Sequence, residues 1–219
     1  MLETMQLESI NVGQVETISH KQKSFTTGIC KYPIEGAAYL EEAGIRGDSI
    51  VDTEHHGGVD QAVYAYSADD YDWWADETSR DVTPGLFGEN LTIRGLPSDM
   101  NVGDRLLIGE VVLEATAPRI PCSTFATRMH ESKFGLAFRE AERPGIYFRV
   151  LSGGEVSVGN TVTYVANDSS DVSILELFRF HYALKHDKDT LLRFLEAPLA
   201  IRFRTKVEAK LESLEQNSG

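Results

Sequence analysis

The sequence predicts a mainly β protein, a barrel or sandwich over residues 1–166, followed by a small three-helix unit over residues 172–219. Three observations predict it. Short runs rich in Val, Ile and Tyr recur through the first part with glycine between them, as strands joined by tight turns require. After the polar stretch Asn167-Asp168-Ser169-Ser170-Asp171, apolar residues switch to the three-or-four-residue period of amphipathic helices. Strands and helices do not alternate regularly and no Gly-x-Gly-x-x-Gly occurs, so a dinucleotide-binding sheet is not expected.

The expected strands, in order, include Gly28–Tyr32, Val63–Tyr66, Asn90–Ile93, Arg105–Ile108, Val111–Ala115 and Ile146–Leu151. Ser152-Gly153-Gly154-Glu155 reads as a hairpin turn, with Val156-Ser157-Val158 as the returning strand. Ser67 followed by Asp70 resembles a capping box and opens a helix through Glu77, and a second helix is expected from Ser123 to about Glu131. In the tail, Ser173 with Glu176 forms another capping box, and Leu175, Phe178 and Tyr182 give the helical stripe. A helix over Asp189–Glu196 follows. Pro198 suits the first turn of a third helix, in which Leu199, Phe203, Val207, Leu211 and Leu214 recur. Three helices this short hold no large core, so they should pack on one another or on a partner.

Composition narrows the function. With 219 residues, 42% hydrophobic and 25% charged, the chain is ordinary globular protein. The 34 acidic and 21 basic residues leave −13, which argues against a nucleic acid partner. From residue 172 onward there are 8 basic and 7 acidic residues, against 13 and 27 before it. An anionic ligand of the body therefore needs a local cationic pocket, whereas the tail suits an acidic partner. Two cysteines exclude a disulfide scaffold and a four-thiolate iron–sulfur cluster. No apolar run approaches the roughly 18 residues that read as a membrane span, and the first residues lack signal-peptide character, so a cytoplasmic location is expected.

Three clusters carry candidate chemistry. In Ala117-Pro118-Arg119-Ile120-Pro121-Cys122-Ser123, two prolines precede a cysteine that stands where a helix begins. The helix dipole and Arg119 favour a thiolate there, either a nucleophile or a soft metal ligand, while an inert buried thiol is the plain alternative. Cys30, placed mid-strand, fits the inert description better. In His55-His56-Gly57-Gly58-Val59-Asp60-Gln61, adjacent histidines on extended chain point apart and chelate poorly, and the glycines allow close backbone approach. Phe87-Gly88-Glu89-Asn90-Leu91 is read equally as a turn.

Gly47-Asp48, His56-Gly57-Gly58-Val59-Asp60-Gln61-Ala62-Val63-Tyr64, Phe87-Gly88-Glu89-Asn90-Leu91, Val102-Gly103-Asp104 and Pro118-Arg119-Ile120-Pro121-Cys122, in this order, resemble the MOSC domain. That family is named for the C-terminal domain of molybdenum cofactor sulfurase, and the likeness is to its YiiM-like branch, including the helical tail. Thr27-Gly28-Ile29 and Gly145-Ile146-Tyr147 fit as well. The resemblance implies an antiparallel β-barrel with peripheral helices, the molybdenum cofactor (Mo-molybdopterin), and Cys122 as protein ligand to the metal. It further implies reduction of N-hydroxylated compounds such as hydroxylaminopurine-type bases, with a flavodoxin, ferredoxin or flavin reductase supplying electrons. On this reading Arg119, then Lys31 and Lys23, hold the pterin phosphate. Gly57 and Gly58 admit the pterin, and Thr27, Asn90 and Tyr147 complete its binding. His56 is the expected proton donor, with Asp60 or Tyr147 behind it. A non-catalytic cofactor carrier and a sulfur carrier through a Cys122 persulfide remain the alternatives.

Overall fold

A computed structural model describes residues 5–51, 57–78 and 80–216. The first strands are β1 (Met5–Gly13), β2 (Glu16–His20), β3 (Lys23–Thr27), β4 (Lys31–Pro33), β5 (Ala37–Glu41) and β6 (Gly44–Ile45). After a 3-10 turn at Val59–Gln61 come β7 (Val63–Ser67), α1 (Ala68–Thr78), β8 (Leu91–Arg94), β9 (Arg105–Ile108) and β10 (Val111–Pro118). Next are α2 (Ser123–Arg128), α3 (Phe134–Ala141), β11 (Ile146–Ser152), β12 (Gly154–Ser157) and β13 (Thr161–Val165). The tail holds α4 (Ile174–Tyr182), α5 (Lys188–Glu196) and α6 (Ile201–Gln216).

Seven strands close a barrel in the order β13-β9-β10-β11-β7-β8-β1, sealed by pairing of β1 with β13, and β4 extends it from the far end of β1. One pair departs from the antiparallel expectation, because β7 and β8 run parallel. Parallel neighbours need a crossover, and α1 with the loop behind it supplies one. A strand flanked this way is buried on both faces. In β7, Val63 and Ala65 enter the main core, while Tyr64 and Tyr66 turn outward into an aromatic cluster with Trp74, Phe87, Phe125, Phe134 and Phe138. This second core lies between β7 and α1 to α3. Helix α3, which no local signal in the sequence announces, supplies Phe134 and Phe138 to it.

Several local expectations change. The Gly153-Gly154 turn does not fold β12 back on β11, because both edges of β11 are already taken by β10 and β7; β12 pairs with β5 instead. Cys30 lies in the connection ahead of β4, fully buried, rather than mid-strand. Ser67 accepts from the Asp69 N–H at 3.2 Å, but Asp70 turns away to pair with Arg143. Ser173 accepts from the Glu176 N–H at 3.1 Å, whereas the Glu176 carboxylate goes to Arg193. Pro198 stands ahead of α6 instead of in its first turn, and its carbonyl accepts from Arg149 at 3.0 Å.

The tail helices pack on the barrel as well as on one another. Ile174, Leu177, Leu191, Phe194, Phe203 and Val207 belong to the same core as the strands. Backbone bonds stitch the join: Ile174 N–H to Met100 O at 2.9 Å, Val102 N–H to Val172 O at 2.9 Å, and Ala200 N–H to Thr116 O at 3.2 Å. Among the described residues no helix is long and apolar enough to cross a membrane.

Candidate functional site

A cavity of about 220 Å³ opens where the β3–β4 connection, the Asp48–Val51 segment, the start of β7, the loop before β8 and the start of α2 converge. Close backbone approach shapes it. A Cβ on Gly28 would lie 1.8 Å from the Ser49 carbonyl oxygen, so only glycine lets these two segments meet. Gly57 adopts φ +67° against Ile50, where a side chain would be both strained and crowded.

Cys122 sits in this cavity, half-buried, at the N-cap of α2 with extended backbone. The two prolines before it keep the chain out of helix until Ser123. Its carbonyl accepts from Ala126 N–H at 3.1 Å, and its side chain makes no capping bond. The thiol is therefore not committed to holding the helix end.

Arg119 lies beside it, buried, with its guanidinium 4.2 Å from the Phe125 ring centroid and 5.4 Å from that of Tyr64. One of its N–H groups donates to Phe87 O at 2.7 Å. A guanidinium carries five such donors. Among the described residues it has no carboxylate partner. Burial works against its charge, yet the neighbouring Tyr64, Tyr147, Cys122 and Glu89 side chains hold it above the usual arginine range.

Lys31 also lines the cavity, but its ammonium is gripped by both carboxylate oxygens of Asp48. Burial lowers its pKa, and Asp48 opposes that shift. Asp48 accepts further from Gly13 N–H at 2.8 Å and Asn90 Nδ2 at 2.9 Å. Asn90 spends its amide here, since its Oδ1 accepts from Tyr64 N–H at 3.1 Å and its Nδ2 also reaches Asn11 O at 3.4 Å. These two residues build the wall and offer a ligand little. The neighbouring Glu89 is fully buried, its carboxyl pKa pushed up by burial while it accepts from Gly85 N–H, Thr92 and Tyr71. It fixes the loop whose Phe87 carbonyl holds Arg119.

The other expected residues divide. Thr27, Gly57 and Tyr147 line the cavity. The Thr27 hydroxyl accepts from Ile29 N–H at 3.1 Å. Tyr147 packs on Tyr64 with centroids 5.0 Å apart, its phenol pKa raised by burial, and its hydroxyl has no hydrogen-bond partner among the described residues. Gly58 and Asp60 are not in the lining. Asp60 pairs with Arg149 at 3.0 Å and accepts from Ile201 N–H at 2.7 Å, so it joins the barrel to α6. Lys23 lines a separate cavity. His56 lies outside the described residues. Reasoning from sequence missed Asp48, although its Gly47-Asp48 motif was visible, and it missed Arg202. From α6, Arg202 donates to Gly57 O at 3.0 Å and Gln61 Oε1 at 2.5 Å, bracing the cavity wall. Nothing local to a helical arginine signals that role.

Comparison with known proteins gives the family. The MOSC domain model matches residues 52–163. YflK of Bacillus subtilis is 32% identical over 208 residues, covering 94% of each chain. A reductase of Gibberella moniliformis is 28% identical over 194 residues, 86% of this chain and 34% of that protein. The crystal structure of YiiM from Geobacillus stearothermophilus superposes with a TM-score of 0.78 at 26% identity, covering 94% of this chain and 99% of that one. With its barrel and motif order matched over half the chain and its whole architecture shared with YiiM, the protein belongs to the MOSC domain family.

Proposed function

We propose that the Cys122 cavity binds the molybdenum cofactor and that the protein reduces N-hydroxylated compounds, such as hydroxylaminopurine-type base analogues, with electrons from a separate redox protein. One observation carries this reading. A thiol not used as a helix cap shares a cavity with a buried guanidinium that forms no ion pair among the described residues. The residues fit the group. A thiolate is a soft ligand suited to a metal already held by sulfur. The remaining Arg119 donors suit the anionic part of the pterin, and charge-assisted bonds of that kind are the strong ones. When bound, the cofactor supplies a two-electron store and a Lewis acid.

The chain's own residues do the rest. Converting an N–OH group to N–H and water consumes two electrons and two protons. Tyr147 keeps its phenolic proton because burial raises its pKa, so it presents an O–H donor inside the cavity. Asp60, held by Arg149 and the α6 backbone, lies outside the cavity lining. The chain's two cysteines hold no cluster, so a flavodoxin, ferredoxin or flavin reductase type of donor is required. The fungal relative named a reductase supports the reaction class.

The test is molybdenum and pterin content of protein made in a host that synthesises the cofactor, with Cys122→Ala alongside. Near-stoichiometric metal and pterin in the parent, lost metal in the variant, and turnover of an N-hydroxy purine with a reduced dye are expected. A parent without either metal or pterin overturns the reading and moves persulfide chemistry at Cys122 to the front. A loaded parent inert toward every N-hydroxy compound leaves a carrier.

A further inference from the structure

A second cavity lies on the other side of the α2 start, between the turn of the β2–β3 hairpin and the α2–α3 connection. His20, Lys21 and Lys23 enter it from the hairpin, and Ser123, Thr127 and Ser132 from the helical side. The two cavities are neighbours along two elements. Cys122 lines the first and Ser123 the second, and β3 gives Thr26 and Thr27 to the first and Lys23 to the second.

Its charge is unusual for this protein. Of the 13 basic side chains before residue 172, seven are held in ion pairs: Lys31, Arg46, Arg80, Arg94, Arg105, Arg143 and Arg149. Of the six others, Arg119 lies in the first cavity and Arg139 on α3, while Lys21, Lys23, Arg128 and Lys133, without an ion pair among the described residues, fall on the hairpin turn or on α2 and just after it, and Lys21 and Lys23 line this cavity. No carboxylate lines the cavity, and nearby Glu131 is already paired with Arg80. Lys21 reaches across to Ser132 Oγ at 3.1 Å. Among the described residues His20 Nε2 and Arg128 Nε are buried without a hydrogen-bond partner, and the His20 ring meets that of His130 edge-on at 5.8 Å. In a protein of charge −13, two lysines without an ion pair among the described residues and the hydroxyls of Ser123, Thr127 and Ser132 around one hollow make a donor set for a dianion.

We propose that this second cavity is a phosphate subsite, binding the terminal phosphoryl group of a molecule whose other end lies against Cys122. Lys21 and Lys23 supply charge, and Ser132 and Ser123 supply hydroxyl donors. Two sources carry such a group: the pterin, and a nucleotide whose modified base is the substrate. The nucleotide version rests on the reductase reading above, whereas the subsite itself does not.

The cofactor-free protein is titrated with inorganic phosphate, following the His20 and His130 ring resonances by NMR and affinity by calorimetry. Saturable binding is expected, with those two rings shifting. Lys23→Met, with no side-chain partner to lose among the described residues, should weaken it roughly tenfold, about 1.4 kcal/mol. Lys21→Met should weaken it similarly, with melting temperature checked because Lys21 holds a left-handed turn at φ +55°. Absence of saturable binding, or Lys23→Met binding phosphate as well as the parent, overturns the proposal. Repeating the titration on cofactor-loaded protein distinguishes the sources. Retained binding assigns the site to a nucleotide, and binding abolished by loading assigns it to the pterin. Failure to load any cofactor defeats the reductase reading and leaves the phosphate result standing.

Discussion

Replacing Asp48 with asparagine removes the charge that balances Lys31 while keeping shape and one carbonyl acceptor. The two side chains are 5% and 8% exposed, so water does not take over the lost interaction. Breaking a buried pair from one side costs about 3–5 kcal/mol, because the partner stays charged and unsolvated. The new amide N–H₂ also faces two donors, Lys31 Nζ and Asn90 Nδ2, where a carboxylate had accepted from both. In a chain of 219 residues each kcal/mol shifts the melting temperature by about 2–4 °C, so D48N should melt roughly 6–20 °C lower. Lys31→Met in the same chain should restore most of the loss, as buried pairs replaced by apolar residues are often neutral or better. The pH dependence has a definite sign. Burial lowers the folded-state pKa of Lys31, so above that value the unfolded chain binds a proton that the folded chain does not. Stability in D48N should therefore rise with pH toward the unfolded lysine value of about 10.4, more steeply than in the parent. Calorimetry of the two single variants and the double variant measures all of this. A D48N loss under about 1 kcal/mol, or a double variant no better than D48N, would refute the reasoning built on an uncompensated charge.

Tyr147→Phe removes one buried O–H donor from the cavity and little else, so it should retain molybdenum and pterin while turnover of an N-hydroxy substrate falls by about 10²–10⁴, the usual worth of a positioned proton donor. Unchanged turnover would return that role to a residue beyond the described segments. At the tail, the Arg179 guanidinium beside Glu142 holds that carboxyl below its ordinary range. Such a group stabilises the fold above the unfolded glutamate value of about 4.3, and loses that contribution as pH falls through the folded one. In Arg179→Gln the Glu142 titration, followed by NMR, should move up toward 4.3, with under about 1 kcal/mol of stability lost because the pair is exposed.

What the sequence made legible, and what it hid, follows from the range of the interactions. β9 and β11 were readable because alternation and turn residues are local, and Ser173 was readable as a cap because its bond spans three residues. The partner of β12 was not, since it depends on whether β11 has a free edge, and that is decided by β10 and β7. The parallel pairing of β7 with β8 was hidden for the same reason. At the site, Cys122 announced itself through two prolines and a helix start, and Arg119 through its spacing from the thiol. The partners of Asp60, Arg149 and the Ile201 N–H, were hidden because they lie far along the chain.

The tail illustrates how those distant contacts bear on function. Its small cationic excess suggested a surface for an acidic electron carrier, yet much of that charge is already committed. Arg179 pairs with Glu142, Arg193 with Glu176 and Asp171, and Lys188 with Glu215. Arg204 donates to the carbonyls of Leu195 and Ala197 at the end of α5. The start of α6 also holds the cavity. Arg202 takes Gly57 O and Gln61, the Ile201 N–H takes Asp60, and Asp60 ties back through Arg149 to β11. A barrel wall containing Gly57 and Gly58 has little conformational preference of its own. Bracing from α6 restricts it at the point where a ligand must approach the backbone, which couples the helical unit to the geometry of the Cys122 site.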